Sequence, residues 1–165
     1  MKLQISALVI SIVLGSLIGS VISNPTFTKR QIALKSYNDF QISDGTAGNC
    51  QAAADKVFAV SGDLKAVSKT DLDNLNTMAR AAVTSEEQFN TAIAAATGEK
   101  ADELKAGKTC NKVLKLTGEL QVLNVKQAQG DDVAAKIATE QKKLNENLKL
   151  DKENAGKKMI SFINA

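Results

Sequence analysis

The chain has 165 residues, a length that fits one domain, with no His, no Trp, one Pro and one Tyr. Without His, Ser-His-Asp and Cys-His catalysis and zinc binding through imidazole are excluded. The 21 basic residues outnumber the 18 acidic ones, but the excess lies in Lys2, Lys29 and Arg30, and no acidic residue precedes Asp39. From Gln31 onward the chain is therefore neutral, which gives no electrostatic reason to expect binding to nucleic acid or to an anionic membrane.

Residues 1–23 have the pattern of a secretory signal peptide. Lys2 supplies a basic start, residues 3–22 are largely apolar, and Ser20 and Ser23 are small residues that suit cleavage. A transmembrane anchor is the alternative, because the apolar run approaches spanning length, although Gly and Ser residues interrupt it. We predict cleavage after Ser20 or Ser23, and hence an extracellular protein with no stable membrane anchor.

The dibasic pair Lys29-Arg30 follows the predicted signal peptide directly. Pairs in this position are often cut by a Golgi processing protease, which would make residues 24–30 a short pro-segment; an ordinary exposed basic pair is the alternative. The remaining residues, 31–165, are predicted to form a single domain. Turn residues such as Asp44-Gly45 indicate an irregular or partly helical N-terminal arm over 31–48, with Phe40 and Ile42 docked on the body of the protein.

The composition of the domain favours an all-α fold. Ala, Leu, Lys, Glu and Gln are strong helix formers, and Pro is absent after residue 25. The first predicted helix begins at Thr46 or Asn49 and ends near Gly62.

The second predicted helix opens at Ser68, where Ser68 and Asp71 have capping-box spacing, and it ends at Gly98. Glu86 interrupts its apolar stripe, and residues 85–88 repeat a capping-box pattern. One continuous helix and two helices with a break near Thr84 are both compatible with this pattern.

The third predicted helix, residues 99–128, has the densest apolar pattern of the chain. Its apolar positions cover much of the circumference, which is typical of a helix with neighbours on more than one side. We therefore predict that it is central, with Gly107 a local weak point of about 1 kcal/mol relative to Ala.

The fourth predicted helix spans residues 131–154, and a short tail follows Gly156. Its predicted inward positions recur at helical spacing: Val133, Ile137, Gln141, Leu144 and Leu148. The predicted fold is a single all-α bundle of about four helices with short loops and antiparallel neighbours.

Two cysteines, Cys50 and Cys110, remain after the predicted processing. In an exported chain such a pair usually forms a disulfide; two buried free thiols are the alternative. The bond would close a loop of about 61 residues and stabilise the fold by ~4 kcal/mol in the chain-entropy model.

Several stretches from Phe40 onward resemble a group of small secreted proteins of filamentous fungi. They comprise residues 40–49, 111–119 (NKVLKLTGE), 127–132 (QAQGDD) and 142–156, within a likeness that covers about residues 40–158. Members of the group are described as candidate effectors or surface proteins with no established activity. The resemblance implies a fungal source and provides no catalytic residue to carry over.

Catalytic and cofactor motifs are missing from the sequence. It has no glycine-rich phosphate loop, and two cysteines cannot build a structural zinc site unaided. We predict a non-enzyme without metal or cofactor: a secreted interaction protein, such as a fungal effector acting on a host protein. The alternative is an extracellular carrier or cell-wall binder for lipid or another hydrophobic ligand, because the many alanines of the first two helices either pack closely or leave room for a ligand.

Overall fold

A computed structural model describes residues 32–165 of the protein. The predicted signal peptide, the predicted pro-segment and the processing residues Ser23, Lys29 and Arg30 lie outside the described residues. Within this described part of the chain, five α-helices and two short strands follow in order, with a 3-10 turn at Leu64–Ala66 between the second and third helices: α1 Tyr37–Phe40, β1 Gly45–Thr46, α2 Cys50–Val57, α3 Lys69–Ala95, α4 Gly98–Ala128, α5 Ala134–Glu153 and β2 Lys158–Met159. The predicted all-α bundle with four longer helices is confirmed.

Helix α4 is the centre of the bundle, as its apolar pattern predicts. It packs against α3, α5, α2 and β2, and its buried positions run from Ala101 to Val125. A helix with neighbours on several sides must be apolar around most of its circumference. Helices α2, α3 and α5, which pack on α4, therefore need only one apolar stripe each.

Helix α3 is continuous through the suspected break at Thr84. Its N-terminus is capped by Ser68, whose hydroxyl accepts a hydrogen bond from Asp71 N at 3.1 Å. The interruption of its apolar stripe has a local cause: Glu86 forms a half-buried ion pair with Lys115 of α4, at 2.8 Å. The pair satisfies both charges at the helix–helix contact, so the helix does not need to end there.

Three details of the predicted helices are wrong. Helix α2 ends at Val57 rather than Gly62, because the chain leaves the helix to bury the ring of Phe58 against α4. Gly98, predicted to end the second helix, is instead the first residue of α4. Gln141 is exposed rather than inward-facing, because α5 packs mainly on α4 and buries only a narrow stripe.

The predicted disulfide between Cys50 and Cys110 is present, with the two Cα atoms 5.3 Å apart. It joins the first residue of α2 to the middle of α4. The neighbouring carboxylate of Asp151, on α5, accepts hydrogen bonds from Gly48 N at 2.7 Å and Cys50 N at 3.0 Å. Asp151 thus caps α2 from another helix, while the N-cap residue Asn49 makes no side-chain capping bond.

The N-terminal arm and the C-terminal tail meet on one side of the bundle. Strand β1 pairs antiparallel with β2, with Gly45 opposite Met159 and Thr46 opposite Lys158. Asp44 in the arm accepts hydrogen bonds from Ser161 N and from the Asn164 side chain, both at 2.8 Å. Arm and tail are therefore joined to each other as well as to the helices.

Gly107 of α4 lets the tail approach the bundle closely. A Cβ atom at this position would overlap the carbonyl oxygen of Ile160 and would lie 3.0 Å from the carbonyl oxygen of Ser43. Gly107, predicted to be a weak point of the helix, is thus the residue at which the arm and the tail contact α4.

Within residues 32–165, no helix is both long enough and apolar enough to cross a membrane.

Candidate functional site

A chain of aromatic contacts holds the arm and the tail on α3. The ring of Tyr37, in α1, stacks on that of Phe162 with centroids 5.7 Å apart and an interplanar angle of 12°. Phe162 in turn meets the buried ring of Phe89, on α3, edge to face at 5.0 Å. These are the offset and T-shaped arrangements that aromatic quadrupoles prefer. The three rings, one each from the arm, the tail and α3, therefore hold these segments together.

The hydroxyl of Tyr37 is directed inward. It donates a hydrogen bond to Asn111 Oδ1 at 2.8 Å, and Asn111 Nδ2 donates to the carbonyl oxygen of Ala82 at 3.0 Å. Burial raises the pKa of the Tyr37 phenol to about 12, while the nearby hydroxyls of Ser43 and Ser85 act in the opposite direction and lower it. The phenol is therefore a neutral anchor rather than an acid or base.

A groove of about 530 Å³ lies between α1, α3 and the tail, open to solvent along one side. It is lined by Tyr37, Asn38, Ala81, Thr84, Ser85, Gln88, Phe162 and Ile163. None of these lining residues is charged. Its apolar contribution comes from the aromatic rings, Ala81 and Ile163, whose exposure of 38% is high for a large apolar side chain.

Three of the polar side chains that line the groove, those of Asn38, Thr84 and Gln88, are exposed to solvent. Ser85 Oγ donates to Ala81 O at 2.8 Å and Thr84 Oγ1 donates to Arg80 O at 3.2 Å. Each hydroxyl proton is thus used within α3, and the exposed Thr84 Oγ1 keeps lone pairs that can accept a hydrogen bond, whereas Ser85 is buried. The amides of Asn38 and Gln88 are exposed and make no hydrogen bond to the rest of residues 32–165.

A second hollow of about 410 Å³ lies where the start of α4 meets the tail. It is lined by Glu99, Lys100, Glu103, Lys158, Ile160 and Asn164. Lys158 and Glu103 already form an ion pair there, at 2.9 Å. An occupant would have to break or bridge that pair, so this hollow is a weaker candidate than the groove.

The predicted site residues Cys50 and Cys110 lie together, and neither of them lines the groove. With Asp151 they form the one group of Cys and acidic side chains in residues 32–165 that is close enough to surround an ion. Both sulfurs are in the disulfide, so neither is a thiolate, the form in which cysteine binds metals. The 2.9 Å contact between Cys50 Sγ and Asp151 Oδ1 has no proton to share and is not a hydrogen bond.

The comparison with protein families gives one result. The model of the family DUF8454, described as a domain of unknown function, matches residues 32–163. The chain belongs to this family. No curated protein and no solved structure matches the chain. The family match covers the whole bundle together with the arm and nearly all of the tail, which includes every residue that lines the groove.

Sequence reasoning missed the groove because its residues come from three distant segments. Tyr37, the only tyrosine, and Phe162, the one aromatic residue of the tail, were the available signals. Aromatic residues are rare in this chain, so their presence in two segments outside the long helices indicates a packing or binding role. Thr84 and Gln88 gave no such signal, because exposed polar residues on a helix are ordinary. Ser85 gave none either, although it is buried.

Proposed function

We propose that this protein is an exported, non-catalytic binding protein that holds an uncharged segment of a partner protein in the groove between α1, α3 and the tail. Together with the resemblance to small secreted fungal proteins, this makes it a candidate effector that acts on a host protein outside the producing cell. The observation that carries the proposal is the composition of the groove, which combines aromatic and aliphatic surface with neutral hydrogen-bonding groups.

The chemistry of the groove supports binding rather than turnover. General acid–base catalysis uses groups that titrate near the working pH, and the groove residues include none. Tyr37 has a pKa raised to about 12 by burial. A phosphate or nucleic-acid occupant would be expected to meet Lys or Arg side chains, which do not line this groove.

The partner segment is expected to be amphipathic. An apolar side chain suits the surface formed by Phe162 and Ile163, and backbone N–H and C=O groups suit Thr84, Asn38 and Gln88. A protein segment presents both kinds of group at once. A charged segment would lose its hydration without gaining an opposite charge.

A carrier of small hydrophobic ligands is the second candidate. The groove volume of about 530 Å³ lies within the ~300–1,000 Å³ range of small-molecule sites. Two observations are less favourable. The groove is open rather than enclosed, and among the alanines that motivated the carrier hypothesis Ala79 and Ala82 are buried by close packing, while Ala81 lines the groove.

Filling the groove tests the proposal. Thr84→Arg places a long charged side chain in the groove at an exposed helical position, so the fold should persist while partner binding is lost. Thr139→Arg is the matched control, because Thr139 is also exposed and also donates to the carbonyl four residues earlier, but lies on α5. Proteins captured from the natural extracellular surroundings by the two tagged variants are compared with those captured by the wild type.

A partner retained by both variants would contradict the groove proposal. If Thr84→Arg instead abolishes the uptake of a fluorescent fatty acid and leaves protein capture unchanged, the carrier reading is correct. In the producing organism, deletion of the gene should leave growth in culture normal and reduce colonisation of the host. A culture defect in surface hydrophobicity with normal colonisation would contradict the effector role.

A further inference from the structure

The disulfide between Cys50 and Cys110 lies against the carboxylate of Asp151. Cys50 Sγ is 2.9 Å from Asp151 Oδ1, and the two sulfurs and a carboxylate oxygen of Asp151 all lie within 4.8 Å of one another. The three residues come from α2, α4 and α5, and each is exposed by 3% or less. A thiol from solvent therefore reaches the bond only when part of this contact opens.

Reduction of the bond would add negative charge at this place. The thiolate of a small monothiol attacks one sulfur and forms a mixed disulfide, and the other cysteine leaves as a thiolate that takes a proton from water. A second thiolate then attacks the mixed disulfide and releases the second cysteine. In total two small thiols are oxidised to one small disulfide, and their two electrons reduce the protein disulfide to two thiols.

The carboxylate of Asp151 opposes these steps electrostatically. Within residues 32–165 it forms no ion pair with a Lys or Arg side chain, so no directly bound cation neutralises it. Like charges repel more strongly at buried positions than in water, because the local dielectric constant is lower. Both the attacking thiolate and the leaving sulfur carry negative charge, so the carboxylate raises the barrier to reduction.

The backbone N–H groups that would stabilise a leaving thiolate are already occupied. Cys50 is the first residue of α2, and a helix N-terminus ordinarily stabilises a thiolate and makes a cysteine reactive. Here the carboxylate of Asp151 accepts hydrogen bonds from Gly48 N at 2.7 Å and from Cys50 N at 3.0 Å. The same two bonds tie the start of α2 to α5, so they also resist the opening that exposes the sulfurs.

We propose that Asp151 protects the Cys50–Cys110 disulfide from reduction by thiols, because it keeps α2 closed over the bond and places a negative charge beside it. In thiol-containing surroundings the protein then retains its disulfide for longer than it would with an equally buried bond that has no neighbouring carboxylate. This inference goes beyond the proposed function and does not depend on what the groove binds.

The rate of reduction tests the proposal. The full chain is produced in a secreting host and treated with a monothiol, and the fraction reduced is measured by alkylation of the new thiols and mass spectrometry. Asp151→Asn removes the charge and keeps one acceptor oxygen. At equal free energy of unfolding it should be reduced ~10-fold faster than the wild type, which corresponds to about 1.4 kcal/mol in the barrier.

A change elsewhere in the core provides the matched control. Leu75→Val shortens a buried side chain on α3 and lowers stability, while Asp151 stays in place. Urea brings the wild type and both variants to the same free energy of unfolding, so that differences in global opening cancel. Under these conditions Leu75→Val should be reduced at the rate of the wild type.

The charge of the reducing thiol separates electrostatics from stability. Cysteamine carries a positive charge and mercaptoethanesulfonate a negative one, and each rate is divided by the rate at which the same thiol reduces the urea-unfolded chain. After this correction the wild type should react ~10-fold faster with cysteamine than with mercaptoethanesulfonate. Asp151→Asn should lose that preference.

Equal rates of the wild type and Asp151→Asn at equal stability would overturn the proposal. It would also be overturned if the wild type showed no preference between the two thiols, or if Leu75→Val were reduced as fast as Asp151→Asn. None of these measurements involves a partner of the groove, so they succeed or fail independently of groove binding.

Discussion

At the scale of single residues, a few buried polar side chains organise the contacts between distant segments. Asn111 joins the arm to α3, Asp71 holds the beginning of the arm, and Asp151 caps α2. Each satisfies backbone or side-chain groups that would otherwise be buried without a hydrogen bond. They matter more to this fold than the exposed i,i+4 pair of Lys69 and Asp73, whose two side chains remain largely in water.

The capping role of Asp151 gives the first prediction. Asp151→Ala removes the acceptor of Gly48 N and Cys50 N and leaves one buried donor, Cys50 N, and one partly buried donor without partners. We expect a loss of ~2–4 kcal/mol in the free energy of unfolding, measured by urea titration. Asp132→Ala, at an exposed position before α5, should change it by less than about 0.5 kcal/mol. Equal effects of the two substitutions would contradict the capping role.

The buried phenol gives the second prediction. Tyr37 is the only tyrosine, so the absorbance of tyrosinate near 295 nm reports this one group. Its folded pKa is raised from 10.0 to about 12, chiefly by burial. Because the folded pKa is raised, the contribution of the neutral phenol to the free energy of unfolding is complete below pH 10. This contribution is lost as the pH rises towards 12, because only the unfolded chain ionises easily in that window. A midpoint near 10 in the native protein would show that the hydroxyl is in water.

At the scale of elements, the sequence was informative wherever the signal is local. The apolar period of α4, the Ser68 cap and the all-α class follow from neighbouring residues. The end of α2 could not be predicted from neighbouring residues. Phe58 leaves the helix for a contact with α4 at Gly118, sixty residues away in the chain. Gly118 shows the same limit, since its spacing within α4 gives no sign of the ring that packs on it.

Gly118 gives the third prediction. A Cβ atom there would lie 2.6 Å from Phe58 Cζ, so Gly118→Ala forces the ring or the helix to move. We expect destabilisation by ~1–3 kcal/mol, opposite in sign to the gain of about 1 kcal/mol that Gly→Ala gives at an unhindered helical position. Combining it with Phe58→Leu should cost less than the sum of the two single changes. Full additivity in thermal unfolding would show that the two residues do not meet.

The disulfide gives the fourth prediction. Cys110→Ser should lower the melting temperature, with a free-energy loss of up to ~4 kcal/mol for a loop of this length. The double substitution with Cys50→Ser should cost little more than the single one, because both remove the same bond. Non-reducing peptide mapping should show the two cysteine peptides joined. Thiols that react readily with a labelling reagent in the native protein would exclude the bond.

At the scale of the whole molecule, the part that could not be predicted is the one that builds the groove. Periodicity describes how each helix faces its neighbours, and it predicted the bundle. It does not describe a pair of two-residue strands or an aromatic stack between residues 37 and 162, because these contacts join opposite ends of the domain. The tail was predicted only to finish the chain, although Met159 and Ser161 are buried in it.

The molecule therefore consists of a bundle stabilised by its own helices and an arm–tail unit that shapes one face of it. The bundle explains why the chain folds, and the arm–tail unit explains why one groove on its surface combines aromatic and neutral polar groups. A binding role at that groove is the central claim.

The most direct measurement places a photo-cross-linking amino acid at Gln88, in the groove, or at Gln141, another exposed glutamine, on α5. Each tagged variant is irradiated in the natural extracellular surroundings, and the cross-linked products are identified by mass spectrometry. We expect a defined partner protein cross-linked from position 88 and absent from position 141. The same products from both positions, or a defined partner from position 141 alone, would contradict the claim that the groove is the binding site.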